Sequence, residues 1–240
     1  MKTLADVTAF VLVGGLGTRL RAVIGEETPK PLAKIGDQPF LRLLLEWLGQ
    51  QGIRNVVLGT GHLAAEFETL LTSYCPVGMT VAFSLEREPL GTGGAIRNGL
   101  PLLSSDPVLV LNGDSIANID LNRMLDEHLS KGALVTVGVV QVPDSSRFGT
   151  VRVTDQGVLS EFLEKTGDAQ PALINAGMYL ISGEALSLLP EGRSSLEKDF
   201  LEPKAAAGIV RGFVADSDFI DIGTPESYAQ AEAFFARFLK

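Results

Sequence analysis

The sequence predicts an α/β fold: a mostly parallel sheet covered by helices on both faces. Two observations carry that prediction. Short apolar, β-branched-rich runs alternate with segments whose leucines recur at helical spacing through the first half of the chain. The runs are also continuously apolar, as expected for strands buried on both faces.

Residues 8–13 are the first such run, and they end at Gly14-Gly15, which reads as a buried strand opening a glycine loop. Residues 39–51 carry leucines at helical spacing and stop at Gly52, a C-cap candidate. Residues 55–59 read as a second strand, 63–72 as an amphipathic helix, 79–85 as a third strand and 92–100 as a helix. A fourth strand, 107–111, ends at Asn112-Gly113-Asp114, and a helix follows near 121–130. After Lys131 the chain becomes β-rich, with strands predicted at 133–141, 149–154, 158–164 and 174–181 and a turn at Asp155-Gln156-Gly157. Helices near 183–189, 194–206 and 225–238 close it. No internal repeat, low-complexity tract or hexapeptide array interrupts this order. One domain over 1–240 is expected, divided functionally near 131 into an earlier part, about 1–131, and a β-rich part, about 132–240.

At 240 residues and 45% hydrophobic content the chain can bury one sizeable core. No apolar run reaches the roughly 20 residues that cross a bilayer, and the N-terminus lacks a basic start and a small-residue cleavage site. A cytoplasmic protein without a membrane partner is expected. Cys75, the single cysteine, cannot form an internal disulfide, and it reads as a packed small apolar residue. One cysteine with two scattered histidines offers no zinc cluster. The net charge of −9 opposes general binding of nucleic acid, so any phosphate substrate must be held by local cations.

Gly14-Gly15-Leu16-Gly17-Thr18-Arg19 follows the first strand, so consecutive N–H groups can curl around phosphate oxygens without Cβ obstruction. The spacing is neither the dinucleotide fingerprint nor the Walker loop. An ordinary strand-to-helix turn is the competing reading. Arg19 can grip β- and γ-phosphates bidentately, although an arginine there also suits a surface ion pair. Pro29-Lys30-Pro31 brackets one ammonium between two stiff residues, which positions a cation but is also a common loop.

Asp114 lies past the carboxyl end of a probable parallel strand, where open α/β sheets bind ligands. A carboxylate there can hold Mg²⁺ together with substrate phosphates, or cap the next helix.

Taken jointly, Gly14 to Leu20 followed by Pro29-Lys30-Pro31 resembles the signature of the sugar 1-phosphate nucleotidyltransferases. The resemblance implies a Rossmann-like, GT-A-like mixed sheet and transfer of a nucleoside monophosphate from an NTP to a sugar 1-phosphate, with Mg²⁺ as cofactor. It implies that Arg19 contacts the NTP phosphates and Lys30 the α-phosphate, and that Leu12, Gly14, Gly15, Gly17 and Thr18 line the nucleotide. Asp221, within Phe219-Ile220-Asp221-Ile222-Gly223, resembles the second metal aspartate beside Asp114. Asp120, Asp216 and Asp218 are read as capping or solvated.

Phe148-Gly149-Thr150, Glu164-Lys165 and Ile174-Asn175-Ala176-Gly177 follow the order of the family's sugar-binding segments, so the resemblance spans nearly the whole chain. It assigns the sugar phosphate to Asn112, Gly149, Glu164, Lys165 and Asn175. Without the family, Glu164-Lys165 would read as an exposed charge pair, and Thr166 stands where the family usually has proline.

Glu86 opens a glycine-rich loop, 86–95, whose glycines let backbone lie against a planar base; Gly91 and Thr92 belong to it. Members using thymidine or uridine nucleotides commonly carry glutamine at the Glu86 position. A carboxylate can instead accept N1–H and the exocyclic amine of guanine, which predicts GTP. Pro89-Leu90-Gly91-Thr92-Gly93-Gly94-Ala95 is similar to the D-glycero-α-D-manno-heptose 1-phosphate guanylyltransferases, and heptose is favoured over mannose or another sugar. The rivals are a cytidylyltransferase and a non-catalytic nucleotide-sugar sensor. Homo-oligomerisation is left open. His62, His128 and Trp47 are read as structural, with His128 on a polar helical face.

Overall fold

The computed structural model describes residues 2–15, 20–25, 28–61, 64–163, 167 and 169–238. The apolar run after the N-terminus forms β1 (Thr8–Leu12), and the glycine loop leads to one helical turn, α1 (Arg21–Ile24). A 3-10 turn at Lys30–Leu32 precedes a minimal hairpin of β2 (Lys34–Ile35) and β3 (Gln38–Pro39). Next come α2 (Phe40–Gln51), β4 (Asn55–Thr60), α3 (Ala64–Ser73), β5 (Thr80–Leu85), α4 (Gly91–Gly99), β6 (Val108–Asn112), β7 (Ser115–Ala117) and α5 (Leu121–Ser130). The β-rich half contains β8 (Val135–Val142), β9 (Thr150–Val153), β10 (Leu159–Leu163), β11 (Ala172–Ile181) and α6 (Gly183–Ser187). It continues through α7 (Glu202–Ala206), β12 (Val210–Ala215), β13 (Phe219–Asp221) and α8 (Pro225–Phe238).

The central sheet runs β10-β9-β11-β6-β1-β4-β5, with β8 also paired to β11 and β12 to β8. β6, β1, β4 and β5 are mutually parallel, so their carboxyl ends share one edge. β11 runs antiparallel to β6, β8 and β9, which makes the sheet mixed. Period-two alternation divides the strands between two cores. Ala9 and Val11 of β1 and Leu109 and Leu111 of β6 join one, with α2, α5 and α8 packed on it. Phe10, Val108 and Val110 join the other, with α4 and α7. Both faces are therefore covered, as the continuously apolar runs predict.

Gly52 caps α2 at φ 103°, a left-handed conformation that costs glycine little. Asp120 caps α5, its Oδ1 accepting from the Arg123 N–H at 3.0 Å. The predicted helix at 194–206 differs: a wide π turn, Glu197–Leu201, runs into α7. Pro203 supplies the reason, since it has no N–H for the carbonyl one turn back and its ring crowds that carbonyl. β7 and β13, three residues each, are too short to show a period, and β12 carries a glycine that breaks its apolar run.

Two expectations are corrected. Cys75 is exposed rather than packed, in the loop after α3, with its thiol directed to the Met79 carbonyl at 3.4 Å. His128 is buried, 3% exposed, because it continues the inward stripe Leu121, Met124, Leu125 of α5. Its Nδ1 lies 2.9 Å from Thr136 Oγ1, and desolvation pushes its pKa down to about 4. Trp47 is buried as expected, and His62 lies outside the described residues. Among the described residues no helix is long and apolar enough to cross a membrane.

Candidate active site

A cavity of about 390 Å³ opens at the shared carboxyl edge of the parallel strands. Leu12, Gly14 and Gly15 from the end of β1, Asn112, Gly113 and Asp114 from the end of β6, Glu86 from the loop after β5, and Gly91 and Thr92 from the start of α4 line it. The structure thus brings together most of the residues that the sequence assigns to the nucleotide. Gly17, Thr18 and Arg19, with Glu164 and Lys165, lie outside the described residues.

Asp114 is placed by close backbone contact between β1 and β6. The Gly113 N–H donates to the Leu12 carbonyl at 2.9 Å, and a Cβ on Gly113 would lie 2.5 Å from that oxygen. Only glycine lets the chain turn there and send Asp114 into the cavity. Lys30 Nζ donates to Asp114 Oδ2 at 2.5 Å, with the lysine side chain 11% exposed and the carboxylate 40%. The prolines beside Lys30 and the 3-10 turn it starts hold the ammonium on this partner.

Asp221 arrives from the far end of the chain through the pairing of β13 with β7. Asp221 stands opposite Ser115, and the next N–H, of Ile222, donates to the Asp114 carbonyl at 2.9 Å. The backbones at the two aspartates are therefore adjacent, although Asp221, unlike Asp114, does not line the cavity. Arg147 holds Asp221 through a single terminal nitrogen, which lies 2.8 Å from each carboxylate oxygen. Sequence reasoning missed Arg147, although it directly precedes the Phe148-Gly149 segment.

Glu86 faces Gly14 across the cavity. A Cβ on Gly14 would lie 3.1 Å from Glu86 Oε1, while Oε2 accepts the Leu90 N–H at 2.9 Å. Burial pushes the Glu86 carboxyl above its usual range, and the Leu90 hydrogen bond opposes this only in part. A donor delivered to Oε1 would relieve that penalty.

The glycines after Glu86 also serve a second purpose. A Cβ on Gly91 would meet the Ser194 carbonyl at 2.5 Å, and one on Gly94 the Gly192 carbonyl at 2.5 Å. The N–H groups of Gly93 and Gly94 both donate to Ser194 O, at 2.9 and 3.3 Å. These glycines admit the 192–194 backbone, and Gly91 also lines the cavity. That docking carries Arg193 and Glu197, absent from the sequence reading, to the cavity wall.

Glu197 ties the two halves of the site together. Its Oε2 accepts from Thr92 Oγ1 at 3.1 Å and Ser195 Oγ at 3.0 Å, and its Oε1 from the buried Tyr179 hydroxyl at 3.3 Å. Asn175 Nδ2 donates to that hydroxyl at 2.8 Å, and its Oδ1 accepts the Gly177 N–H at 2.9 Å. Asn175 is thus engaged within β11 rather than lining the cavity. Gly149 sits at the start of β9, whose Thr150 pairs with Ile174 of β11.

Comparison with known proteins agrees with this geometry. The family described as "Nucleotidyl transferase" matches residues 8–237. A D-glycero-alpha-D-manno-heptose 1-phosphate guanylyltransferase of Aneurinibacillus thermoaerophilus is 38% identical over 93% of this chain and 96% of its own. A mannose-1-phosphate guanylyltransferase of Mycobacterium tuberculosis is also 38% identical, over 97% of this chain but 65% of its own. The crystal structure of HddC from Yersinia pseudotuberculosis complexed with GMP-PN superposes with a TM-score of 0.86 at 34% identity, over 95% of this chain and 99% of that one. With the glycine turn, the bracketed lysine and the strand-end aspartate at one sheet edge, and a family match over nearly its full length, the chain belongs to the nucleotidyl transferase family.

Proposed function

We propose that the chain transfers GMP from GTP to D-glycero-α-D-manno-heptose 1-phosphate and releases pyrophosphate. The observation that carries this reading is the Lys30–Asp114 pair at the sheet edge beneath Gly14 and Gly15, with Asp221 hydrogen-bonded alongside through its neighbour Ile222. A sugar phosphate oxygen is already a competent nucleophile, so the protein need only position the reactants and offset charge. No covalent enzyme intermediate is required.

In this reading the Gly14–Gly15 turn, continuing into 16–19, receives the β- and γ-phosphates, and Arg19 holds departing pyrophosphate. Lys30 turns its ammonium from Asp114 to the α-phosphate as negative charge develops there. Asp114 and Asp221 would hold Mg²⁺. The donor set fits the preference of the ion for carboxylate oxygens, and Lys30 and Arg147, which pair with these carboxylates, would have to give way to it. When bound, the ion would offset phosphate charge. Glu86 Oε1 accepts guanine N1–H and Oε2 the exocyclic amine in exchange for Leu90, or the single free oxygen takes both. Glu164, Lys165 and Gly149 serve the sugar phosphate, and Asn175 fixes the conformation of β11.

Heptose is preferred to mannose because Pro89-Leu90-Gly91-Thr92-Gly93-Gly94-Ala95 is similar to the corresponding segment of the heptose 1-phosphate guanylyltransferases. The test is pyrophosphate release with Mg²⁺, crossing the four NTPs and dTTP against heptose, mannose and glucose 1-phosphates. Release only with GTP and the heptose phosphate is expected. Release with mannose 1-phosphate alone overturns the sugar assignment, and nucleotide binding without any release favours a sensor.

A further inference from the structure

Among the described residues, Arg147 is the cation paired with the Asp221 carboxylate. One terminal nitrogen bridges both carboxylate oxygens at 2.8 Å, and the same nitrogen lies 3.4 Å from Ser227 Oγ. The Arg147 Nε is buried with no hydrogen-bond partner. The guanidinium is thus committed to Asp221 through one corner, while another polar atom goes unsatisfied. A residue with only a structural task would be expected to satisfy that N–H as well. Its other neighbour is the Phe148 ring, 5.2 Å from the guanidinium carbon, which holds it without a directional bond.

The opposite member of the site repeats the arrangement, with Lys30 on Asp114. Asp114 and Asp221 therefore each face a protein cation. A divalent ion approaching Asp221 meets both oxygens already capped by one N–H₂ group. We infer that Arg147 is an internal counter-ion that competes with the divalent metal for Asp221, so that the free protein binds metal weakly and takes it up together with the triphosphate. This rests on the reading of Asp114 and Asp221 as the metal-holding pair. The triphosphate supplies the negative charge that lets the ion join the site while both cations remain, now facing phosphate oxygens. Arg147 is accordingly a positioning residue whose effect is read in metal affinity.

The test is Mn²⁺ binding to nucleotide-free protein, measured by the loss of the free-ion EPR signal, with no turnover involved. Arg147→Met removes the competing charge and keeps an apolar stem against Phe148. Its Mn²⁺ affinity is expected to rise about tenfold, the scale for removing one partly solvated charge a few ångströms from a cation. Arg147→Lys, which can bridge the same oxygens with one ammonium, should stay within about threefold of the parent, whereas Arg147→Met/Asp221→Asn should lose the gain. Circular dichroism and melting checks establish that each variant is folded. Unchanged or weakened affinity in Arg147→Met overturns the inference, as does a gain that survives in the double variant. Mn²⁺ binding in the presence of a non-hydrolysable GTP analogue separates the two levels. If Asp114→Asn and Asp221→Asn leave that binding intact, the metal assignment falls and the inference with it. If they abolish it while Arg147→Met changes nothing, only the inference falls.

Discussion

Replacing Lys30 by methionine separates catalysis from folding. The side chain is nearly buried and its ammonium lies 2.5 Å from Asp114, yet that carboxylate is 40% exposed, so water screens the pair. Ion pairs of that kind contribute about 0–1 kcal/mol to stability. Methionine keeps the unbranched stem and its packing, so the melting temperature should fall by no more than about 2–4 °C for a chain of this size. In the proposed reaction charge accumulates on the α-phosphate, toward which the ammonium turns from Asp114. Removing one such donor costs about 2.7–4 kcal/mol, which lowers kcat roughly 100- to 1000-fold. Steady-state pyrophosphate release, with melting measured on the same preparations, reads both quantities. A kcat within tenfold of the parent, in a variant that melts normally, would refute the assignment of Lys30. A melting point lowered by more than about 10 °C would instead show the lysine to be part of the scaffold.

Three further expectations concern other parts of the structure. Glu86→Gln should reduce the preference for GTP over UTP by about 10- to 100-fold, the worth of one hydrogen bond to a charged group, and an unchanged ratio of kcat/KM values would dismiss base reading by Glu86. Because burial raises the Glu86 pKa, the parent's KM for GTP should increase as pH falls through that raised value, and in Glu86→Gln the rise should vanish. Gly94→Ala drives a Cβ into the Gly192 carbonyl and should cost about 1–3 kcal/mol, while Gly15→Ala, with nothing within 4 Å, should leave melting unchanged and raise the KM for GTP. The reverse pattern in denaturation and kinetics would exchange the roles given to the two glycines. His128 has a folded pKa of about 4 against about 6.5 unfolded, so the unfolded chain binds the extra proton between those values. Its stabilising contribution is complete above pH 6.5 and declines by about 3 kcal/mol as pH falls to 4. In His128→Gln that part of the acid destabilisation should be missing from urea titrations, and an identical pH profile would rule out His128 as its source.

What could be read from the sequence follows from how each residue reaches the site. Gly14, Asp114 and Glu86 lie just after strands whose local pattern is strong, and knowing where a strand ends is enough to place them at the sheet edge, whereas Lys30, in a 3-10 turn, was legible through its flanking prolines and the family signature. Asp221 required the family resemblance, because its position depends on a three-residue strand pairing with another equally short one. Arg193 and Glu197 were illegible for a different reason. They enter the cavity because Gly91, Gly93 and Gly94 accept the 192–194 backbone at distances no Cβ allows, and a glycine-rich loop does not reveal whether its partner is a ligand or another loop. The same ambiguity explains why those glycines looked suited to a base. His128 shows the converse: its spacing from Leu121, Met124 and Leu125 placed it on the buried stripe, and only its polar character argued otherwise. Periodicity outweighed residue type there, because a histidine with Thr136 as partner can be buried neutral at modest cost. Arg147 belongs with Glu197 in needing the assembled fold, since its partner, the Asp221 carboxylate, is remote in sequence.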